Sequence, residues 1–327
     1  HRNVCTQLRH KDNGIYWVDF WAPIWATYTE QLIMNTHAPI GFIGLGLMGQ
    51  AMATQLINAG YPLCIHSRTK DKAKALIALG ASYANSPLQL ASLVKDSIII
   101  ICVTDSIALE DVVKGEKGLL HHIAPNCLII DMGTSCYELT LNLAQQTHKK
   151  QAHYIDAPVS GGQIGAQQGT LSIMAGGSSN QLQRAKPLFD VIGQKTTHVG
   201  AEGSGQLAKS ANQMIVGATL NIVAEALFLA QKNGADPAKV VQALTGGFAD
   251  SKILQVHGKR MVEQNYTPGA RATTQLKDLQ QAQDLATLNK LTLPLNQASL
   301  SQWQGMVDAG LGHLDQAGIL AWVERNN

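Results

Sequence analysis

Residues 40–49 read Ile40-Gly41-Phe42-Ile43-Gly44-Leu45-Gly46-Leu47-Met48-Gly49. A short apolar run leads into Gly-x-Gly-x-x-Gly, and an apolar stretch at helical spacing leaves it. Glycine strings of this form also arise by chance, so the weight lies in the strand before it and the helix after it. In that setting Gly44 permits the tight turn, Gly46 lets the main chain approach a pyrophosphate, and Gly49 lets the helix lie against its strand. Amides at the helix start then face the anion. Residues 44–49, with Leu45, Leu47 and Met48 between the glycines, are therefore expected to cradle a dinucleotide. An empty glycine turn is the bland alternative, and the strand–turn–helix context weighs against it.

Working outward, the next strand ends in Cys64-Ile65-His66-Ser67-Arg68-Thr69-Lys70, with no acid before Asp71. An NAD site usually places Asp or Glu there to hold the ribose hydroxyls. Arg68 can instead stack on adenine and pair with a 2′-phosphate, while Ser67 and Thr69 supply hydroxyls. NADP is the expected cofactor, with NAD the alternative. A solvated basic loop is the competing reading.

The same alternation continues to about residue 200. Strands are expected at 39–43, 62–66, 97–103, 128–131, 153–156, 171–175 and 196–199, with helices between them such as 48–59, 70–79 and 180–189. This pattern predicts a doubly wound, mainly parallel sheet covered on both faces. After Gly203-Ser204-Gly205 the strand signals stop. The run 206–232 has no proline and only Gly217 as glycine, enough for roughly 40 Å of helix. Gly234 and Pro237 then punctuate it, and further helices fit 237–244, 251–264, 275–288, 294–309 and 315–324. Residues 38–200 are expected to be a dinucleotide-binding Rossmann domain and 201–327 an all-α domain entered by the long interdomain helix, with a substrate cleft between them.

Residues 1–37 differ in texture. Trp17, Trp21 and Trp25 crowd together, no leader-peptide pattern is evident, and Met34 would suit a native start. This segment is expected to be an N-terminal extension, non-native or accessory, without chemistry.

Composition narrows the function classes. A net charge of +2 offers no field for nucleic acid. The densest apolar run, 97–103, has the length of a buried strand, so no membrane span is expected. Cys5, Cys64, Cys102, Cys127 and Cys136 have no CxxC spacing and fit a reducing, cytoplasmic setting. No cluster has metal-ligand spacing, so no metal is expected.

Four more features carry chemistry. In Asp156-Ala157-Pro158-Val159-Ser160-Gly161-Gly162, the glycines can bring amides to an anion beside the Ser160 hydroxyl, although a plain turn would read the same. Asp156 and Pro158 are expected to position that turn rather than react. In Gly205-Gln206-Leu207-Ala208-Lys209-Ser210-Ala211-Asn212, Lys209 and Asn212 share a helix face. A lysine buried beside a cationic ring has its amine pKa lowered and can move a proton. A lone helical lysine is usually solvated, but Leu207, Ala208, Ala211 and Met214 make this face apolar. Lys277, in Lys277-Asp278-Leu279, is expected either to reach cofactor or substrate or to form a surface charge pair. Thr134 follows a strand end, where it would bond the nicotinamide ribose or cap the helix starting near Tyr137.

The stretches GFIGLGLMGQAMATQL, DAPVSGGQIGAQQGTLSIMAGG, GSGQLAKSANQ and PGARATTQLKDLQQA resemble the β-hydroxyacid dehydrogenase family over roughly 38–325. The resemblance implies NAD(P)-dependent interconversion of a small β-hydroxyacid and its semialdehyde. It implies Lys209 as the catalytic residue, Asn212 near the reacting oxygen, and Ser160, Gly161 and Gly162 at the substrate carboxylate. Lys277 and Thr134 would contact cofactor or substrate, and the helical domain would form a homodimer or homotetramer. Residues 246–252 and His313-Leu314-Asp315 look most like the members that reduce tartronate semialdehyde, in which case Phe248 would close over the nicotinamide or substrate. Members acting on 3-hydroxyisobutyrate, glyoxylate or succinic semialdehyde are the alternatives within the family.

Two positions depart from the family pattern. The Asp-Met-Ser-Thr of many members is here Asp131-Met132-Gly133-Thr134, which removes a hydroxyl, and Asn-Arg-Thr is here Ser67-Arg68-Thr69. A non-catalytic cofactor binder on the same fold is the rival from another class. Such proteins tend to lose the lysine and carry basic arms, whereas Lys209 is present and no basic tail is seen.

Overall fold

A computed structural model describes residues 39–327. The expectations for the first 37 residues lie outside the described residues.

Six strands form the parallel part of the sheet: β1 (Ile40–Ile43), β2 (Leu63–His66), β3 (Ser82–Tyr83), β4 (Ile98–Ile101), β5 (Leu128–Asp131) and β6 (His153–Asp156). Their order is β3-β2-β1-β4-β5-β6. The chain therefore reverses direction of winding between β1 and β4, the point where open α/β sheets hold ligands. Beyond β6 the sheet becomes mixed. Short β7 (Val159–Ser160) and β6 share one edge of antiparallel β8 (Leu171–Gly176), and β9 (Gly193–Gly200) lies parallel on the other edge. The two-residue strands β3 and β7 escaped sequence reading because two residues cannot display an alternation.

The strand sequences explain the two covered faces. Every residue of the Ile98–Ile101 strand is buried. Ile98 and Ile100 join Phe42, Leu128 and Ile130 in one core, and Ile99 and Ile101 join Ile43 and Ile129 in the other. Alternation of side chains along a strand makes this split obligatory. The first core is closed by α1 (Leu47–Asn58), through Met52 and Leu56, and the second by α3 (Pro87–Val94), α4 (Ser106–Lys114) and α5 (Tyr137–Lys149). Between α1 and α3 lies the short α2 (Lys74–Ala78). Helix α6 (Gly162–Gln168) follows β7, and α7 (Ser179–Ile192) packs Leu188 and Phe189 on the first core.

The rest of the chain is helical: α8 (Ser204–Lys232), α9 (Pro237–Leu244), α10 (Lys259–Val262), α11 (Ala272–Leu288), α12 (Pro294–Met306) and α13 (Ile319–Arg325). Asp236 caps α9 by accepting from Ala238 N–H at 2.9 Å, with Pro237 at the first position, as the punctuation predicts. Trp303 is fully buried at the centre of this third core, among Leu220, Ala224, Leu279 and Ile319. Gly217 lets α8 approach α11 there, since a Cβ would stand 2.7 Å from Gln275 Nε2.

Helix α8 is longer than the 97–103 run on which the membrane expectation rests. It is 29 residues long with a window of mean hydropathy 1.6, so by length and composition it could cross a membrane. The sequence reading missed this because the apolar residues are interrupted by Lys209, Gln213 and Asn221. Those polar residues are buried in the protein, as are Leu220, Ala224 and Leu227 on the same helix.

Candidate active site

The glycine turn sits at the winding reversal between β1 and β4. Gly44 has φ +98°, and a Cβ there would fall 2.2 Å from Cys102 O at the end of β4. A Cβ on Gly49 would fall 1.9 Å from Gly44 O, so α1 lies directly on the turn. Gly46 differs: nothing lies within 4 Å of the position its Cβ would take. It caps α1 without a side-chain bond, leaving the first helix amides to an external acceptor. A bare, open backbone at a helix start fits a pyrophosphate. Leu45 is buried beneath the turn, whereas Leu47 is exposed and Met48 partly so.

The end of β2 offers no competing carboxylate. His66 Nδ1 engages Ala84 O at 2.9 Å, and the carbonyl of buried Ser67 accepts from the Tyr83 hydroxyl at 3.0 Å. Arg68 and Thr69 are exposed, and Asp71 pairs with Lys74 at 2.8 Å. Arg68 is thus the first charged group past the strand end, with exposed Lys70 two residues on.

Lys209 lies in the second turn of α8, almost wholly buried, with Nζ donating to Val159 O at 2.8 Å. That carbonyl adjoins the bend Ser160-Gly161-Gly162. Gly161 has φ +137° and Gly162 φ +63°, values open to glycine, and both are exposed while Ser160 is half-buried. The amine and the bend expected to hold an anion therefore meet. Burial lowers the Lys209 amine to about 8; Asp278 opposes the shift and Lys277 assists it.

Lys277 is half-buried on α11. Its Nζ donates to Thr104 O at 3.1 Å and Thr134 O at 3.0 Å, beyond the ends of β4 and β5. It also stands 3.0 Å from Asp278 Oδ1, a contact between ions without hydrogen-bond geometry. The pair is therefore no solvated surface pair, and it ties the helical domain to the strand ends. Thr134 is partly buried, and its carbonyl is the group engaged. It does not cap α5, whose N-cap residue is Cys136 with no side-chain cap; the Cys136 N–H itself donates to Ser106 Oγ at 2.9 Å. Asn212 is partly buried and donates to Gln213 Oε1 at 2.7 Å. Phe248 is fully exposed, outside this cluster. Its stretch lies in turn and bend conformation after α9, with no apolar partner to draw the ring inward.

Sequence reading assigned no role to Gln206, Gln213 or Asp278. Gln213 Nε2 donates to buried Asp278 Oδ2 at 2.6 Å, which places that carboxylate beside both lysines. One signal was available: Gln206, Lys209 and Gln213 recur at three- and four-residue spacing within an apolar helix, so they form one polar face.

Two family descriptions match the chain in succession. Residues 39–200 match the NAD-binding domain of 6-phosphogluconate dehydrogenase, and residues 203–323 match the NAD-binding region of NADP-dependent 3-hydroxyisobutyrate dehydrogenase. The 2-hydroxy-3-oxopropionate reductase of Escherichia coli is 40% identical over 285 residues, spanning 87% of this chain and 97% of its own. The chain belongs to the β-hydroxyacid dehydrogenase family. Among solved structures, a 3-hydroxyisobutyrate dehydrogenase from Salmonella typhimurium superposes with TM-score 0.79 at 26% identity, covering 86% of this chain and 98% of its own. Psf3 in complex with NADP+ and 2-OPP superposes with TM-score 0.80 at 25% identity, covering 87% and 99%. As a β-hydroxyacid dehydrogenase the protein is an NAD(P)-dependent oxidoreductase acting on CH–OH donors, and residues 39–200 are its dinucleotide-binding domain.

Proposed function

We propose that this β-hydroxyacid dehydrogenase reduces tartronate semialdehyde with NADPH, forming D-glycerate, and runs the reverse oxidation. The observation that carries the reading is the buried Lys209 amine held at the Val159 carbonyl, beside the Ser160-Gly161-Gly162 bend. Bound NADPH supplies the hydride. The Ser160 hydroxyl and the amides of Gly161 and Gly162 hold the substrate carboxylate, which orients the carbonyl toward the ring. Lys209 gives its proton to the carbonyl oxygen during reduction and takes one from the hydroxyl during oxidation. Asn212 offers its amide to the same oxygen. Lys277 and Thr134 line the nicotinamide end, and the bare helix start at Gly46 takes the pyrophosphate.

The 40% identity to the Escherichia coli reductase supports tartronate semialdehyde. The second reading is 3-hydroxyisobutyrate, favoured by the description matched over residues 203–323. Short acids differ by pocket contacts worth about 1–3 kcal/mol each, so assay decides between them. Exposed Arg68, with no acid at the β2 end, supports NADPH over NADH, as does NADP+ in the Psf3 neighbour. An apolar stripe on α8 supports a homodimer or homotetramer.

The test is a screen of tartronate, methylmalonate and succinic semialdehydes and glyoxylate with both cofactors, repeated with Lys209→Ala. Tartronate semialdehyde with NADPH is expected to give the highest kcat/KM. Lys209→Ala is expected to lower kcat by about 10²- to 10⁴-fold while NADPH titrates as in wild type. Retained turnover in Lys209→Ala removes the lysine from the chemistry.

A further inference from the structure

Two carboxylates stand side by side at the ends of β5 and β6. Asp131 and Asp156 are register partners, and neither exposes any surface. Unpaired, such groups would be costly to bury. Asp156 Oδ1 accepts from Gly203 N–H at 2.7 Å and Oδ2 from Gln206 N–H at 2.8 Å, so it occupies the start of α8. Asp131 Oδ1 accepts from Gly133 N–H at 2.9 Å, and its Oδ2 accepts from Ser135 Oγ at 2.5 Å. Gln206 joins the two: Nε2 donates to Gly133 O at 3.0 Å and lies 3.4 Å from Asp131 Oδ2, while Oε1 accepts from Ser135 N–H at 3.1 Å. A Cβ on Gly205 would come within 2.4 Å of Met174 O, which shows how closely the helix start is pressed on the sheet.

The arrangement bears on the amine. Lys209 follows Gln206 by three residues on α8, and Val159, which accepts from its Nζ, follows Asp156 by three residues. Asp156 is thus fastened at the root of both segments that the Lys209–Val159 bond joins. The loop gripped by Gln206 also carries the Thr134 carbonyl that accepts from Lys277. We propose that Asp156, Asp131 and Gln206 are positioning residues, holding the first turns of α8 against β6 and β7 so that the Lys209 amine stays where proton transfer needs it. The inference rests on Lys209 being the proton-moving group. Burial also raises the carboxyls of Asp156 and of Asp131, the latter to about 7, and Tyr154 packs against Asp131. Lys209 itself faces Asp278 and Lys277 from α11.

The test compares wild type, Asp156→Asn and Gln206→Met for NADPH-dependent reduction of tartronate semialdehyde across the alkaline range, with NADPH affinity from fluorescence titration and folding from circular dichroism. In each folded variant kcat is expected to fall by about 10- to 100-fold with NADPH affinity little changed. The alkaline limb is expected to move upward, toward an ordinary lysine, because a loosened amine is better hydrated. Folded variants with wild-type kcat and an unmoved limb overturn the proposal. Failure of both to fold also overturns it, since the network would then serve the fold alone. An active wild type with unaltered variants sinks only the positioning role, whereas a wild type inactive on every acid of the screen sinks the catalytic reading and this inference with it.

Discussion

At Lys209, burial drives the amine down to about 8, and the nearby Asp278 carboxylate does not restore it. Below about pH 8 the group is an ammonium that can donate; above it, a free amine that can accept. Reduction is therefore expected to slow, and oxidation to quicken, as pH rises through about 8. Initial rates in both directions check this, and two flat profiles would contradict it. Arg68 carries the second prediction at this scale. Arg68→Ala removes a charge-assisted contact worth about 1.5–3 kcal/mol, so KM for NADPH should rise by about tenfold or more while KM for NADH stays nearly constant. An equal rise for both cofactors would mean that Arg68 does not read the 2′-phosphate. Lys209 was singled out by its apolar helix neighbours, yet Leu207 and Ala211 are exposed and the lysine shares its buried face with Gln206 and Gln213. Phe248 had no such signal, since nothing local says whether an aromatic after two glycines turns inward.

Among the elements, the segment between α10 and α11 depends on one buried carboxylate. Asp315 Oδ2 accepts from Gly269 N–H at 2.9 Å and Ala270 N–H at 3.1 Å, and lies 3.2 Å from Arg260 Nη1. Burial pushes its carboxyl up, but these amides, the Ala317 amide and nearby His257 more than offset that and lower it to about 2. The unfolded chain titrates near 3.9, so this stabilisation is full above about pH 5 and fades as pH falls toward 2. Asp315→Asn should cost about 1–3 kcal/mol in urea unfolding at pH 7, with the gap to wild type narrowing in acid. A gap independent of pH would show that charge is not what anchors the segment. Most elements could be placed from periodicity and punctuation, as with Pro237–Leu244. The antiparallel turn into β8 could not, because β7 takes its partner from the sheet rather than from its own two residues.

For the molecule as a whole, α8 serves both the site and the surface. Ile215, Ile222 and Leu229 are 67%, 61% and 66% exposed at seven-residue spacing, the repeat of a helix-pairing seam. The protein is expected to sediment as a dimer or larger, and Ile222→Glu to shift it toward monomer at micromolar concentration. A wild-type monomer would assign the stripe no partner among copies of this chain. The amino-acid order by itself determined the two-part architecture and the glycine turn after β1, and singled out Lys209 as the expected proton-moving group, because strand alternation, helical period and glycine turns act over a few residues. Only the tertiary structure decided which distant groups meet. The Lys209–Val159 bond spans 50 positions, Lys277 reaches Thr104 across 173, and Asp131 lies beside Asp156 because β5 and β6 are neighbours. Such pairings follow from strand order and helix crossing, which no short stretch of sequence encodes.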